Sequence, residues 1–420
     1  MKGWKASQLG DIAAISYGFT AKASVENVGP KFLRITDIQD DMVNWSSVPY
    51  CPIDEADLKK YKLIDQDIVF ARTGATTGKS YLVCNPPESI AASYLIRLRV
   101  QDSNVSAKFI SKFFQTREYW DSVSSGISGS AQGGFNASKL SALVVLIPPL
   151  PEQKRIVEIV DEAFEGIDRA IANTQKNLTN ARELFESYLN AIFTQKGDGW
   201  VDKKLENICS IKHGFAFKGE FFTTKEADYI LLTPGSFFES GGYREQGEKT
   251  KYYVGEIPDE YILNQGDFLF AMTEQAVGLL GSSLIVPESD RFLHNQRLGL
   301  VQLVDGVEWH NDFFFHQFNT RSFRDEVQSS ASGVKVRHTS PNKLGAISVC
   351  FPPSITEQKI VADALNELYT ETQRLESIYR QKLAALNELK QAILQKAFTG
   401  ELTAGTANQA KKTVKEVIAA

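Results

Sequence analysis

Residues 74–80, Gly-Ala-Thr-Thr-Gly-Lys-Ser, come nearest to a chemical motif in this 420-residue chain. A glycine-rich loop ending in Lys-Ser suits phosphate, because bare backbone N–H groups can surround an anion while the lysine neutralises it. Nucleotide-binding loops of that kind need four residues between their glycines, and only three separate Gly74 from Gly78. No ATPase machinery follows. Arg72-Thr73-Gly74 leaving an apolar run, with Lys79 returning, reads instead as a polar β-loop. Such a loop is either ordinary surface or a place where side chains and backbone reach phosphates and base edges.

Other apparent chemistry dissolves in the same way. Asn85-Pro86-Pro87-Glu88 has the outline of an amino-methyltransferase motif, in which an aromatic residue in the last place stacks on a flipped base. Glu88 has no ring, and no glycine-rich cofactor loop accompanies it, so the segment reads as a turn. Glu388-Leu389-Lys390 looks like the end of a nuclease carboxylate motif but falls inside a helical pattern. The five histidines lack metal-ligand spacing and are not paired with a Ser or Cys nucleophile. The four cysteines (Cys51, Cys84, Cys209, Cys350) stand singly, which argues against a zinc site and a disulfide framework. The chain therefore shows no catalytic site. With no long apolar run and no apolar leader after Met1, a cytoplasmic protein is expected.

What remains are residues suited to reading nucleic acid. Tyr17-Gly18-Phe19-Thr20-Ala21-Lys22 combines a glycine turn, aromatics and a cation, and His213-Gly214-Phe215-Ala216-Phe217-Lys218 is its counterpart. Phe19 and Phe215 are better read as core, Lys22 and Lys218 as phosphate contacts. The small, polar loop 128–136 contains Ser130, Gln132 and Asn136, and Gln and Asn are the types that pair with adenine edges. At the equivalent place a second loop carries Lys335, Arg337 and His338, where Arg337 suits guanine or phosphate. Thr273 holds the position that Thr73 holds earlier. Each of these residues has an ordinary surface role as its rival.

The pairing of these segments follows from an internal duplication. Trp4, Leu9, Ile12, Ile15, Gly18, Phe19 and Lys22 match Trp200, Leu205, Ile208, Ile211, Gly214, Phe215 and Lys218 at one constant offset. Asp67–Ala71 echoes Asp267–Ala271, Leu146–Pro149 echoes Cys350–Pro353, Glu152-Gln153-Lys154 echoes Glu357-Gln358-Lys359, and Phe193-Thr194 echoes Phe398-Thr399. The chain is two diverged copies of a unit of roughly 200 residues. Each copy opens with a globular part. Its β-rich runs are Asp67–Ala71, Tyr94–Val100 and Ala142–Ile147 in the first copy, and Asp267–Ala271, Leu298–Val304 and Ala346–Phe351 in the second.

A long helical segment follows in each copy. The first is expected from Pro151, which suits the first helical position, to about Gln195. Its stripe is Ile156, Val160, Ala163, Ile167, Ile171 or Ala170, Thr174, Leu178, Ala181, Phe185 and Tyr188. The second is expected from near Thr356 as N-cap, with a stripe of Val361, Leu365, Leu368, Thr372, Leu375, Tyr379, Lys382 or Leu383, Leu386, Leu389 and Ile393. Alternating steps of three and four are the heptad signal. The expected fold class is α+β: two similar globular domains (1–150 and 198–355) joined by two long helices (151–197 and 356–400). The helices form an antiparallel coiled coil with pseudo-twofold repeat, and a tail (401–420) follows.

At these residues the chain resembles the specificity subunit of type I restriction–modification enzymes. The resemblance spans nearly the whole length. Its most specific parts are Ile147-Pro148-Pro149-Leu150-Pro151-Glu152-Gln153-Lys154, the partner Pro352-Pro353 with Glu357-Gln358-Lys359, and the closing run Leu394–Leu402. The second copy has one extra residue between its proline pair and Glu357. The resemblance implies that each globular part is a target-recognition domain for one half of a bipartite double-stranded DNA site. It implies that the helices space the two and dock two methyltransferase subunits, with two restriction–translocase subunits as further partners. It also implies adenine-N6 methylation, with S-adenosylmethionine, ATP and Mg²⁺ belonging to those partners and no cofactor in this chain. A net charge of −5, with near balance over 1–150 and an acidic excess over 198–355, counts mildly against DNA binding. Whole-chain charge says little about one face, and partners can supply phosphate contacts. A coiled-coil scaffold without DNA recognition is the alternative.

Overall fold

The structure is a computed structural model that describes residues 3–39, 42–128, 135–274 and 278–404. It divides into two compact units, residues 1–175 with 381–420 and residues 176–380. Both long helices contribute to both units, so compactness cuts each helix near its middle rather than at a junction with a globular part.

In the first unit a four-stranded antiparallel sheet runs in the order Ala13–Tyr17, Leu95–Val100, Ile68–Ala71, Ser80–Leu82. Ile68–Ala71 is buried at every position. That is the pattern of a strand covered on both faces and explains its unbroken apolar run. Phe70 of this strand packs in one cluster with Phe109 and Phe113 of the helix Ala107–Phe113, Phe114 just after it, and Tyr119 of the helix Arg117–Ser128. The second unit repeats the plan with Cys209–His213, Leu298–Leu303, Phe268–Ala271 and Ser283–Ile285. All six β-runs read from the sequence are strands, with ends shifted by one or two residues.

Gly18 and Gly214 show why the copies share a glycine. A Cβ at Gly18 would lie 2.2 Å from the carbonyl oxygen of Ala92, and one at Gly214 would lie 2.2 Å from that of Asn295. The close approach lets the next residue bridge the neighbouring segment, Phe19 to Ala92 and Phe215 to Asn295. Both phenylalanines pack against apolar clusters, as the core reading expects.

The long helices are Leu150–Gln195 and Ile355–Phe398, of 46 and 44 residues. The first starts one residue before Pro151. The second starts before Thr356, which therefore lies in its first turn rather than capping it. Ser354 precedes the helix, and its carbonyl accepts from Gln358 N at 3.0 Å. Serine is a favoured capping type.

Within the first unit Ile156, Val160, Ala163 and Ile167 pack with Leu386, Ile393, Leu394 and Ala397. Glu152 meets Thr403, and Asp168 meets Lys390, so the helices run antiparallel there. Within the second unit Arg182 meets Glu376 at 2.9 Å and Phe185 meets Tyr369 at 5.3 Å, again antiparallel. The stripes hold except near the end of the first. Tyr188 is exposed and Leu189 is buried in its place, because 3.6 residues per turn drift away from a strict heptad. The echoed phenylalanines have one job. Phe398 lies 4.9 Å from Phe109 in the first unit, and Phe193 lies 5.3 Å from Phe313 in the second.

The Glu-Gln of the repeated motif is a helix anchor. Gln153 is fully buried; its Nε2 donates to Asn104 O and Pro148 O at 2.8 Å each, and its Oε1 accepts from Ser106 N at 2.8 Å. Gln358 does the same with Glu308 O, Pro352 O and His310 N. One amide thus satisfies three backbone groups and ties the helix start to the globular part. Gln358→Ala is expected to lower stability by roughly 1–3 kcal/mol for each buried group left unpaired. Its neighbour Glu357 is exposed, so Glu357→Ala should be near neutral. Denaturant midpoints of the two variants check this, and equal midpoints would remove the anchor role.

Candidate nucleic-acid interface

In the first unit the candidate residues collect where the central sheet ends. Ile68–Ala71 leads into a tight loop closed by Gly78 N on Ala71 O and by Ala71 N on Lys79 O, both at 2.8 Å. Gly74 and Gly78 adopt φ of +86° and +87°, which glycine takes without strain. The loop returns directly into the strand Ser80–Leu82. A phosphate loop feeds a helix, so this is a β-hairpin, as its short glycine spacing indicates.

Arg72, Thr73 and Lys79 are exposed on this hairpin. The Arg72 guanidinium lies over the Tyr17 ring, 4.8 Å from its centre. The Tyr17 hydroxyl accepts from Ala137 N at 3.2 Å, and Arg72 O accepts from Phe135 N at 3.2 Å. Three segments distant in sequence are therefore joined around Tyr17, Arg72 and Asn136. The Asn136 Oδ1 caps the helix Ala137–Ser141 by accepting from Lys139 N at 2.9 Å, which commits one of its atoms to the fold. Tyr94, 65% exposed, stands beside Arg72 and was missed from sequence. Lys22 is exposed, and no described contact joins it to this cluster. Ser130 and Gln132 lie outside the described residues. Arg97 and Arg99 turn inward: Arg99 holds Asp67 through two bonds of 2.7 Å, and Arg97 donates to backbone carbonyls.

The second unit builds the equivalent place differently. Thr339 N donates to Met272 O at 3.0 Å, as Phe135 N does to Arg72 O, and Ser340 caps its helix as Asn136 does. The two loops compared in the sequence are therefore structural counterparts. Here Thr273-Glu274 pairs with Arg337-His338 as a two-stranded ribbon. Ser332 and His338 exchange backbone hydrogen bonds at 3.0 and 2.9 Å, closing a hairpin that carries Lys335 and Val334, the latter 98% exposed. His338, Lys335, His213 and Lys218 are exposed, with His213 ending its strand and Lys218 preceding a short 3-10 turn.

Arg337 departs from the expectation of a free base reader. Its guanidinium donates to Gln328 Oε1 and Gln328 O at 2.5 Å and lies 3.6 Å from the buried Glu274 carboxylate. Two of its N–H donors are thereby committed to the fold. Glu274, unremarked in the sequence, is the hub of this network. Its only sequence signal is an acidic residue where the first copy has Gly74.

Of the histidines, His294 and His316 are core. Burial drops the pKa of His294 to about 4, and burial likewise lowers that of His316 against the opposing hydrogen bond from its Nε2 to Asn366 Oδ1. Among the described residues no group of three or more His, Cys, Asp or Glu could hold a metal, and no helix is long and apolar enough to cross a membrane.

A family model described as the type I restriction modification DNA specificity domain matches residues 1–180 and again 197–385. The type I restriction enzyme EcoBI specificity subunit of Escherichia coli is 26% identical over 54% of this chain, which spans 44% of that subunit's length. The putative MjaX specificity subunit of Methanocaldococcus jannaschii is 22% identical, over 96% of this chain and 94% of its own. The EcoKI specificity subunit of Escherichia coli K12 is 22% identical over 96% and 90%. The fold is that of a chain solved in work on complex assembly and conformational transition of the type I R-M system. The TM-score is 0.74 at 16% identity, over 95% of this chain and 98% of that one. It is also that of the HsdS subunit from Thermoanaerobacter tengcongensis, with a TM-score of 0.55 at 15% identity over 95% and 97%.

Proposed function

The chain belongs to the type I restriction modification DNA specificity family, and from that premise we propose that it reads a bipartite DNA target for partner enzymes and performs no chemistry itself. Each globular part reads one short half-site, and the bases between the half-sites go unread. Two methyltransferase subunits dock on the chain, and two restriction–translocase subunits complete a nuclease. The methyltransferases transfer a methyl group to adenine N6, so each half-site offers an adenine for flipping. S-adenosylmethionine, ATP and Mg²⁺ are bound by those partners.

One observation carries the reading. The family domain occurs twice, and the two copies present dissimilar loops at the same structural place. Around Tyr17 and Arg72 the first offers a cation on an aromatic ring beside a polar hairpin. The second offers a ribbon edged by Thr273, Lys335 and His338. Different surfaces at equivalent positions read different half-sites, whereas a scaffold has no need of either.

Reconstitution tests this. The chain mixed with its methyltransferase, S-adenosylmethionine and plasmid DNA is expected to yield methylated adenine, and either component alone to yield none. Methyl transfer by the chain alone would make it an enzyme. DNA affinity at moderate salt no better than an unrelated acidic protein's would make it a scaffold.

A further inference from the structure

Glu274 stands at the junction of two segments that flank the second unit's reading surface. It is 3% exposed. One carboxylate oxygen, Oε2, accepts from three successive backbone N–H groups, Gly278 at 3.1 Å, Leu279 at 3.0 Å and Leu280 at 2.8 Å. It also accepts from Gln328 Nε2 at 3.1 Å. The other oxygen, Oε1, is buried with no hydrogen-bond partner among the described residues. It faces the Arg337 guanidinium at 3.6 Å. Arg337 belongs to the hairpin closed by Ser332 and His338, and its second anchor is Gln328.

A second arginine braces the same turn. Arg324 donates to Gly278 O and to Asn319 Oδ1. Burial lowers it to about 10, which leaves it charged at neutral pH. A carboxylate held this deeply is costly unless its partners are in place, and removing one partner leaves a buried charge uncompensated. The first unit has Gly74 at the matching position; both hairpins close through the same backbone bond, Gly78 N on Ala71 O and Gly281 N on Ala271 O at 2.8 Å each, and only the second has a carboxylate at that position. The brace is thus a feature of one reader and not of the shared fold.

We propose that Glu274 is a positioning residue for target reading by the second unit: its two oxygens fasten the turn Gly278–Leu280 and the hairpin 332–338 to one another, and Arg337 is the strut between them rather than a base reader. This rests on the proposed DNA-reading function. Lys335, His338 and Thr273 then meet DNA from a surface whose shape is set by a carboxylate that never touches it. Backbone pairing of Thr273-Glu274 with Arg337-His338 transmits the position directly.

The test uses the full chain with its methyltransferase and DNA carrying single-base changes in either half-site. R337Q removes the cation that faces Oε1 of Glu274, so discrimination at the second unit's half-site should fall about tenfold or more, the scale of one good base contact. Adding E274Q to R337Q removes the buried charge and should restore part of that discrimination. E274Q alone should broaden several positions of that half-site, while the other half-site stays unchanged in every variant.

A direct reader behaves otherwise. If R337Q loses preference at a single base pair, E274Q loses none and the double variant shows no recovery, Arg337 reads DNA and the proposal is wrong. Equal loss at both half-sites would mean a merely structural role and would also overturn it. Should E274Q melt out, R337Q against wild type still separates broad from single-position loss, because Arg337 sits on the more exposed side of the pair. A wild-type complex with no target preference would instead defeat the DNA-reading function itself.

Discussion

Exchanging residues 1–150 for the corresponding region of another family member is expected to replace one half-site outright and leave the other untouched. The expectation follows from the duplication. Each copy has its own central sheet, its own aromatic core and its own loops, and the family match restarts at residue 197. Loss of one good bidentate contact costs about 1–3 kcal/mol, and an exchanged reader replaces all its contacts at once. The correct half-site should therefore change by orders of magnitude rather than by degrees. Mapping methylated adenines in cells that carry the hybrid reads the result. A change in both half-sites would show that the two copies do not read independently. The conserved half-site also identifies which bases the second unit reads, which the Glu274 variants require.

Lengthening both helices is expected to lengthen the unread gap. One heptad inserted after Asn177 and another after Leu383 keep each apolar stripe in phase. Both insertions fall between the ion pairs Asp168–Lys390 and Arg182–Glu376, so neither pair is disturbed within its own unit. Seven residues add roughly 10 Å of helix, and DNA rises about 3.4 Å per base pair. The favoured gap should grow by about three base pairs, with both half-sites unchanged. Activity falls as well, because three base pairs rotate the second half-site by most of a third of a turn. A library of gap lengths offered to the double-insertion complex reads the preference. An active complex that keeps the original gap would show that the helices dock partners without setting distance.

The elements were legible because their signals are local. A strand covered on both faces shows as an apolar run such as Ile68–Ala71, and a helix pair shows as steps of three and four. The duplication was legible because glycines such as Gly18 and Gly214 meet the same backbone obstacle twice. Helix starts were less so: Thr356 is a good capping type, but Ser354 is another, and sequence alone does not rank them. Tyr188 and Leu189 are adjacent apolar residues, and only accumulated helical drift decides which faces inward.

The candidate surface was legible in its location and not in its wiring. Arg72, Tyr17 and Asn136 come together as an interface would need, yet the stacking of Arg72 on Tyr17 links residues far apart in sequence. Arg337 has the right type for a base contact, and its engagement by Glu274 and Gln328 depends on partners that no local pattern announces. Gln153 and Gln358 were visible as a repeated motif. Their burial and their three backbone bonds each are what give the motif a physical reason.

The most direct measurement is single-molecule mapping of N6-methyladenine in DNA from cells expressing this chain with its methyltransferase. The account predicts one bipartite motif, two different short half-sites separated by a fixed run of unspecified bases, with a methylated adenine in each and none when the chain is omitted. A continuous motif, or the same methylation without the chain, would contradict it.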